Sequence, residues 1–78
     1  MKFRITGASI LTHMEDYLPV LKDFGATDPV DNRWNDVYEI TVNSLDELIK
    51  LGEAIGEKLI LDTSLTPPEI GIYDNYIE

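Results

Sequence analysis

Residues 38–62, YEITVNSLDELIKLGEAIGEKLILD, constrain the fold more than any other stretch, because they read as strand, helix and strand with very short joints. Tyr38, Ile40 and Val42 alternate with Val37, Glu39 and Thr41, the period of two expected of a strand with one packed and one wetter face. Ser44 has a side chain that accepts from an orphan amide at a helix start, and Glu47 stands three residues on, the spacing of a capping box. Leu45, Leu48, Ile49, Gly52 and Ile55 then recur at helical spacing with Leu51 on the flank, opposite Asp46, Glu47, Lys50, Glu53 and Glu57. Gly56 suits the left-handed conformation that ends a helix, and Leu59, Ile60 and Leu61 follow at once as an apolar strand. Joints this short imply a parallel strand pair with a right-handed crossover, either adjacent or with one strand between them.

The flanking segments supply the remaining elements. In residues 2–6, KFRIT, Phe3 and Ile5 point to the core while Lys2, Arg4 and Thr6 point to a solvated outer face, where Arg4 can meet Glu39 across strands. Met14, Tyr17, Leu18, Leu21 and Phe24 recur at helical spacing and Gly25 ends the run. Pro19 is tolerated only in a first turn, where its missing amide has no partner to lose. Thr12 with Glu15 makes a second capping box but leaves Pro19 as a kink, so a loose turn over 12–15 and a helix from about Asp16 cost less. Residues 26–36, ATDPVDNRWND, read as a functional loop or as a short strand near 30–34 hairpinned to the next one, with the loop preferred. After the polar, proline-rich 63–68, residues 69–76 resume a strand with Ile70 and Ile72 on one face, forming a last hairpin with the strand of Leu59 and Leu61. The expected fold is an α+β two-layer sandwich, β-α-β-α-β-β, with a mixed sheet of about four strands and both helices on one face.

The chain is 78 residues, the size of a single domain, and 44% hydrophobic and 27% charged content is that of a folded protein. Fifteen carboxylates against six cations give a net charge of −9, which repels nucleic acid and anionic membranes and favours a basic protein partner. With no cysteine and no apolar run near the roughly 20 residues of a membrane span, a cytoplasmic location is expected.

No catalytic, cofactor or metal constellation stands out, so an enzyme is not expected. His13 is the single imidazole and has no nucleophile or metal-ligand spacing around it; an exposed helix-start residue is the better reading. Asp28, Asp31 and Asp36 lie within nine residues but miss the alternate spacing, glycine and final Glu of a calcium loop. Trp34, between Arg33 and Asn35, either folds back to close one end of the core or forms with Arg33 an exposed interface anchor. Tyr73 and Tyr76 alternate with Asp74 and Glu78, a composition suited to a basic partner. The candidate partner-binding residues are therefore Arg33, Trp34, Asp36, Asp46, Glu47, Glu53, Glu57, Tyr73, Asp74 and Tyr76.

The stretch VYEITVNSLDELIKLGEAIGEKLIL followed by EIGIYDNYIE, about the C-terminal half of the chain, resembles small acidic proteins of phages and prophages of Gram-positive bacteria, which carry similar NSLDELIKL, GEKLI and IYD segments. That resemblance implies an anti-CRISPR-like role in the host cytoplasm: binding and blocking a host nucleic-acid enzyme, a CRISPR effector or another defence or DNA-processing protein. The dispersed acids suit this by presenting negative charge to a basic channel as a phosphate backbone would, although solubility alone accounts for the same excess. It carries no catalytic residues with it. The alternative expectation is a homodimeric or adaptor-like structural module that pairs strand edges and has no inhibitory activity.

Overall fold

The alternation of Phe3 and Ile5 with Lys2, Arg4 and Thr6 produces a strand that pairs on both sides, and everything else is arranged about it. The computed structural model describes residues 1–74. Its elements are β1 (Lys2–Gly7), a 3-10 turn (Met14–Asp16), α1 (Leu18–Lys22), β2 (Asp31–Asn32), β3 (Asp36–Thr41), α2 (Leu45–Ile55), β4 (Lys58–Asp62) and β5 (Glu69–Tyr73). The five strands form one mixed sheet in the order β2-β3-β1-β5-β4. β1 runs antiparallel to β3, with Ile5 opposite Tyr38, and parallel to β5, with Ile5 opposite Ile70. β4 and β5 close the expected hairpin, Leu59 opposite Ile72 and Leu61 opposite Ile70. The crossover through α2 does join parallel strands, but β1 and β5 both lie between β3 and β4, where the short joints suggested at most one.

Both helices cover one face. Phe3, Ile5, Tyr38, Ile40, Val42, Ile70 and Ile72 from the sheet meet Met14 and Leu21 from the first helical segment and Leu51 and Ile55 from α2. The start of α2 is as its sequence demands, with Ser44 Oγ accepting from the Glu47 amide at 3.2 Å, and Gly56 ends it at φ +77°. Its rotation differs from expectation. Leu51 is fully buried and Leu48 half-buried, whereas Leu45 and Ile49 are 71% and 51% exposed. The apolar stripe is wider than the sheet beneath it, so the face built on Leu48, Leu51 and Ile55 wins and Leu45 overhangs.

The segment before β2 is shorter and less regular than expected. Asp16 ends the 3-10 turn instead of capping a helix, Tyr17 precedes α1, and Pro19 falls in the first turn, where it removes no helical hydrogen bond. The preferred loop over 26–36 is in part a hairpin, since Asp31 pairs with Val37 and Asn32 with Asp36, and the Val30 amide donates to Val37 O at 2.7 Å. That hairpin folds back over the outer sheet face, which is therefore not simply solvated. Val37 and Thr6 are buried there, and Thr6 Oγ1 donates to Asp36 O at 3.1 Å. Asn35 Nδ2 reaches Ser9 O, an approach that a Cβ on Gly7 would block, as it would lie 2.8 Å from Asn35 Nδ2 and clash with Thr12 Cβ.

Two outcomes check this packing. Leu51→Ala should cost about 2–5 kcal/mol in chemical denaturation, while Leu45→Ala costs less than about 0.5 kcal/mol; equal costs would contradict the rotation of α2. Burial of Tyr38, reinforced by Asp36, Glu15 and Asp28, raises its phenol pKa above the ordinary value of about 10. A folded-state pKa raised in this way contributes stability below the unfolded value that is lost as pH climbs through the folded one. Unfolding midpoints should therefore fall above about pH 10, and less steeply in Tyr38→Phe.

Candidate functional site

The elements sort the charges between the two sides of the sheet. Residues 12–28 and 43–57, the helical layer and its joints, hold Glu15, Asp16, Asp23, Asp28, Asp46, Glu47, Glu53 and Glu57 against Lys22 and Lys50, eight charges against two, so −6 of the net −9 lies there. Asp46 and Glu53 are exposed and Glu47 and Glu57 half-buried, each on or just beyond α2. The other four cations belong to the sheet. Lys2, Arg4 and Lys58 alternate onto its outer face, and Arg33 lies across that face. Lys2 Nζ sits 3.3 Å from Glu39, which takes this diagonal partner although Arg4 stands directly opposite it.

Arg33 is a strap more than a free anchor. Its two terminal nitrogens donate to both carboxylate oxygens of Glu69, at 3.1 and 2.8 Å, across the width of β3 and β1, and its Nε lies 3.9 Å from Asp31. The Glu69 hydrogen bonds raise the guanidinium pKa further above its ordinary value. Asp36 is likewise internal to the hairpin, its Oδ1 accepting from Asn32 Nδ2 at 2.8 Å. With those two neighbours engaged, Trp34 is left 62% exposed at the hairpin tip, which excludes the first of its two readings: it does not close the core.

The C-terminal candidates separate. Tyr73 is 42% exposed on the outer face, as the alternation places it. Asp74 is a correction, because it follows Ile70 and Ile72 onto the core side, is 1% exposed and accepts from the Tyr17 hydroxyl at 3.3 Å. It presents no charge to a partner. Tyr76 lies outside the described residues.

One feature escaped sequence reasoning. Met1, Phe3, Val42, Asn43, Ser44, Leu45 and Leu48 line an open, largely apolar groove of about 280 Å³ where β1 begins and α2 starts. It exists because the Val42 amide donates to Met1 O at 2.9 Å, drawing the beginning of the chain alongside the joint that leads into α2. Asp46 and Glu47 follow directly in the first turn, so an apolar hollow adjoins two acids. No local signal marks it, because the helical pattern assigns Leu45 to the packed face.

Among the described residues, no group of three or more His, Cys, Asp or Glu side chains is placed to hold a metal ion. His13, with a side chain 58% exposed, has Glu15 at 3.8 Å. No helix among those residues is long and apolar enough to cross a membrane. Comparisons of the chain with protein-family models, curated proteins and solved structures gave no match.

The strap makes a direct prediction. A double-mutant cycle of Arg33→Ala and Glu69→Ala should give a coupling of about 0.5–1 kcal/mol, since the pair is bidentate but Arg33 is partly solvated. Trp34 fluorescence should shift on Arg33→Ala as the hairpin loosens, and an unaltered spectrum with zero coupling would remove the strap.

Proposed function

We propose that this protein is a small acidic inhibitor of phage type, which binds a host nucleic-acid enzyme, a CRISPR effector or another defence or DNA-processing protein, and blocks its basic channel. One observation carries the reading: the helical layer holds −6 of the net −9, while four of the six cations belong to the sheet, where Lys2 and Arg33 are neutralised by Glu39 and Glu69. A body charged this way approaches a Lys/Arg-lined channel helices first. Screening limits that steering to roughly 8 Å at physiological salt, so it speeds and orients encounter more than it supplies affinity. Affinity needs apolar burial, which the groove beside Asp46 and the exposed Trp34 offer at two separate points of the surface.

The exposed strand β4 favours a second reading, a homodimeric or adaptor-like module without inhibitory activity. The two are separated by titrating purified protein into candidate nucleases and scoring cleavage. Stoichiometric inhibition is expected, weakening steeply as salt rises. Replacing Asp46, Glu47, Glu53 and Glu57 together with Gln or Asn should weaken it by about tenfold or more. Full inhibition by that variant, or salt-independent binding, would count against charge mimicry; no binding to any nucleic-acid enzyme would leave the module reading in its place.

A further inference from the structure

Among the described residues, the two edges of the sheet are unlike. β2 is two polar residues long, the kind of short edge that resists pairing with another chain. β4 is five residues, KLILD, paired with β5 in unbroken register and free of proline, with Ile60 and Leu61 each 45% exposed. Its backbone orientation follows from its neighbour. The Ala8 amide donates to Ile72 O at 2.9 Å, so the polar groups of Ile72 face β1. Leu59, opposite Ile72, is therefore in a non-hydrogen-bonded pair, and by alternation Lys58, Ile60 and Asp62 direct their N–H and C=O groups to β5 while Leu59 and Leu61 direct theirs outward.

We propose that β4 is a self-recognition strand: two copies of this chain pair antiparallel along it, about a two-fold axis through Ile60. In that register the outward amide and carbonyl of Leu59 meet those of Leu61 in the second copy, and the reverse, satisfying both edges. Ile60 packs on Ile60 of the second copy at the close spacing of a non-hydrogen-bonded pair. Lys58 stands opposite Asp62 of the second copy at both ends, on the same outer face. The strand is thus complementary to itself in hydropathy and in charge, as an isologous interface must be. Asp62 is prepared for the role, because Ser64 donates to its Oδ1 through both amide and hydroxyl, at 3.0 and 2.6 Å, which lowers the carboxyl pKa and favours the charged form. An axis normal to the sheet places both helical layers on one side, so the acidic faces lie next to each other.

A five-residue edge is a small interface, so association in about the micromolar to high-micromolar range is expected, and sedimentation velocity from about 10 μM to about 1 mM should carry the protein from monomer to dimer. Lys58→Glu and Asp62→Lys each set like charges opposite one another and should weaken self-association by about tenfold or more, whereas an equimolar mixture of the two restores opposite charges and should dimerise. Leu61→Pro removes an outward donor without touching a bond to β5 and should also give a monomer; circular dichroism establishes that each variant is folded. A wild-type monomer over the whole range, single variants that dimerise like wild type, or a mixture that stays monomeric would each overturn the proposal.

Discussion

The structure depends on the N-terminal strand lying in the middle of the sheet. β1 is paired on both sides, so a segment that enters at one end of the chain must wait for β3 and then for β5, some 65 residues later, before its backbone is satisfied. Burial on both faces follows. Ile5 is fully enclosed on the helical side, and on the other side Thr6 is buried beneath the 31–36 hairpin. Most of the unusual features serve that second covering: Gly7 leaves room for Asn35 and Thr12, Asn35 ties the hairpin to Ser9, and Arg33 reaches across to Glu69.

Local signals were legible because their causes are local. Ser44 and Gly56 bound α2 where their side chains and φ preferences said they should, and the alternation of Phe3 and Ile5, of Tyr38 and Ile40, and of Ile70 and Ile72 found the core face of three strands. What stayed hidden were choices made at a distance. Six apolar residues on α2 compete for a contact that holds about half of them, and only the sheet beneath decides that Leu51 enters while Leu45 and Ile49 stay out. Strand order is set by β1 inserting between β3 and β5, which no spacing within residues 38–62 records. The hairpin at Asp31 is held by two residue pairs and a strap to a strand far along the chain, too little regular pattern to stand out among turn formers.

The candidate surface divides along the same line. Acids on a helix face are visible as a pattern, and Asp46 and Glu53 are exposed as that pattern requires. Asp74 misled because composition alone grouped it with Tyr73, although a period of two sends neighbouring residues to opposite faces; continuing the alternation from Ile70 and Ile72 would have placed it inside. Trp34 could not be assigned, since its exposure results from Arg33 and Asp36 being engaged elsewhere. The groove was invisible for a further reason: Met1 and Leu45 are brought together only by the pairing of β1 with β3.

Charge and fold are coupled through size. A body with a radius of gyration of 11.3 Å places most of its acids within a few Debye lengths of one another, so a layer with a net −6 repels itself and opposes the compact state. The sheet side offsets this with cross-strand pairs, while the helical layer has only Lys22 and Lys50 to do so. A basic partner binding that layer would relieve the repulsion and stabilise the fold by mass action, with the same coupling free energy appearing as affinity. Retaining eight acids across residues 12–28 and 43–57, around the helices that cover the core, is a standing cost in stability for a protein of this size, and one that salt or a bound cationic surface would relieve.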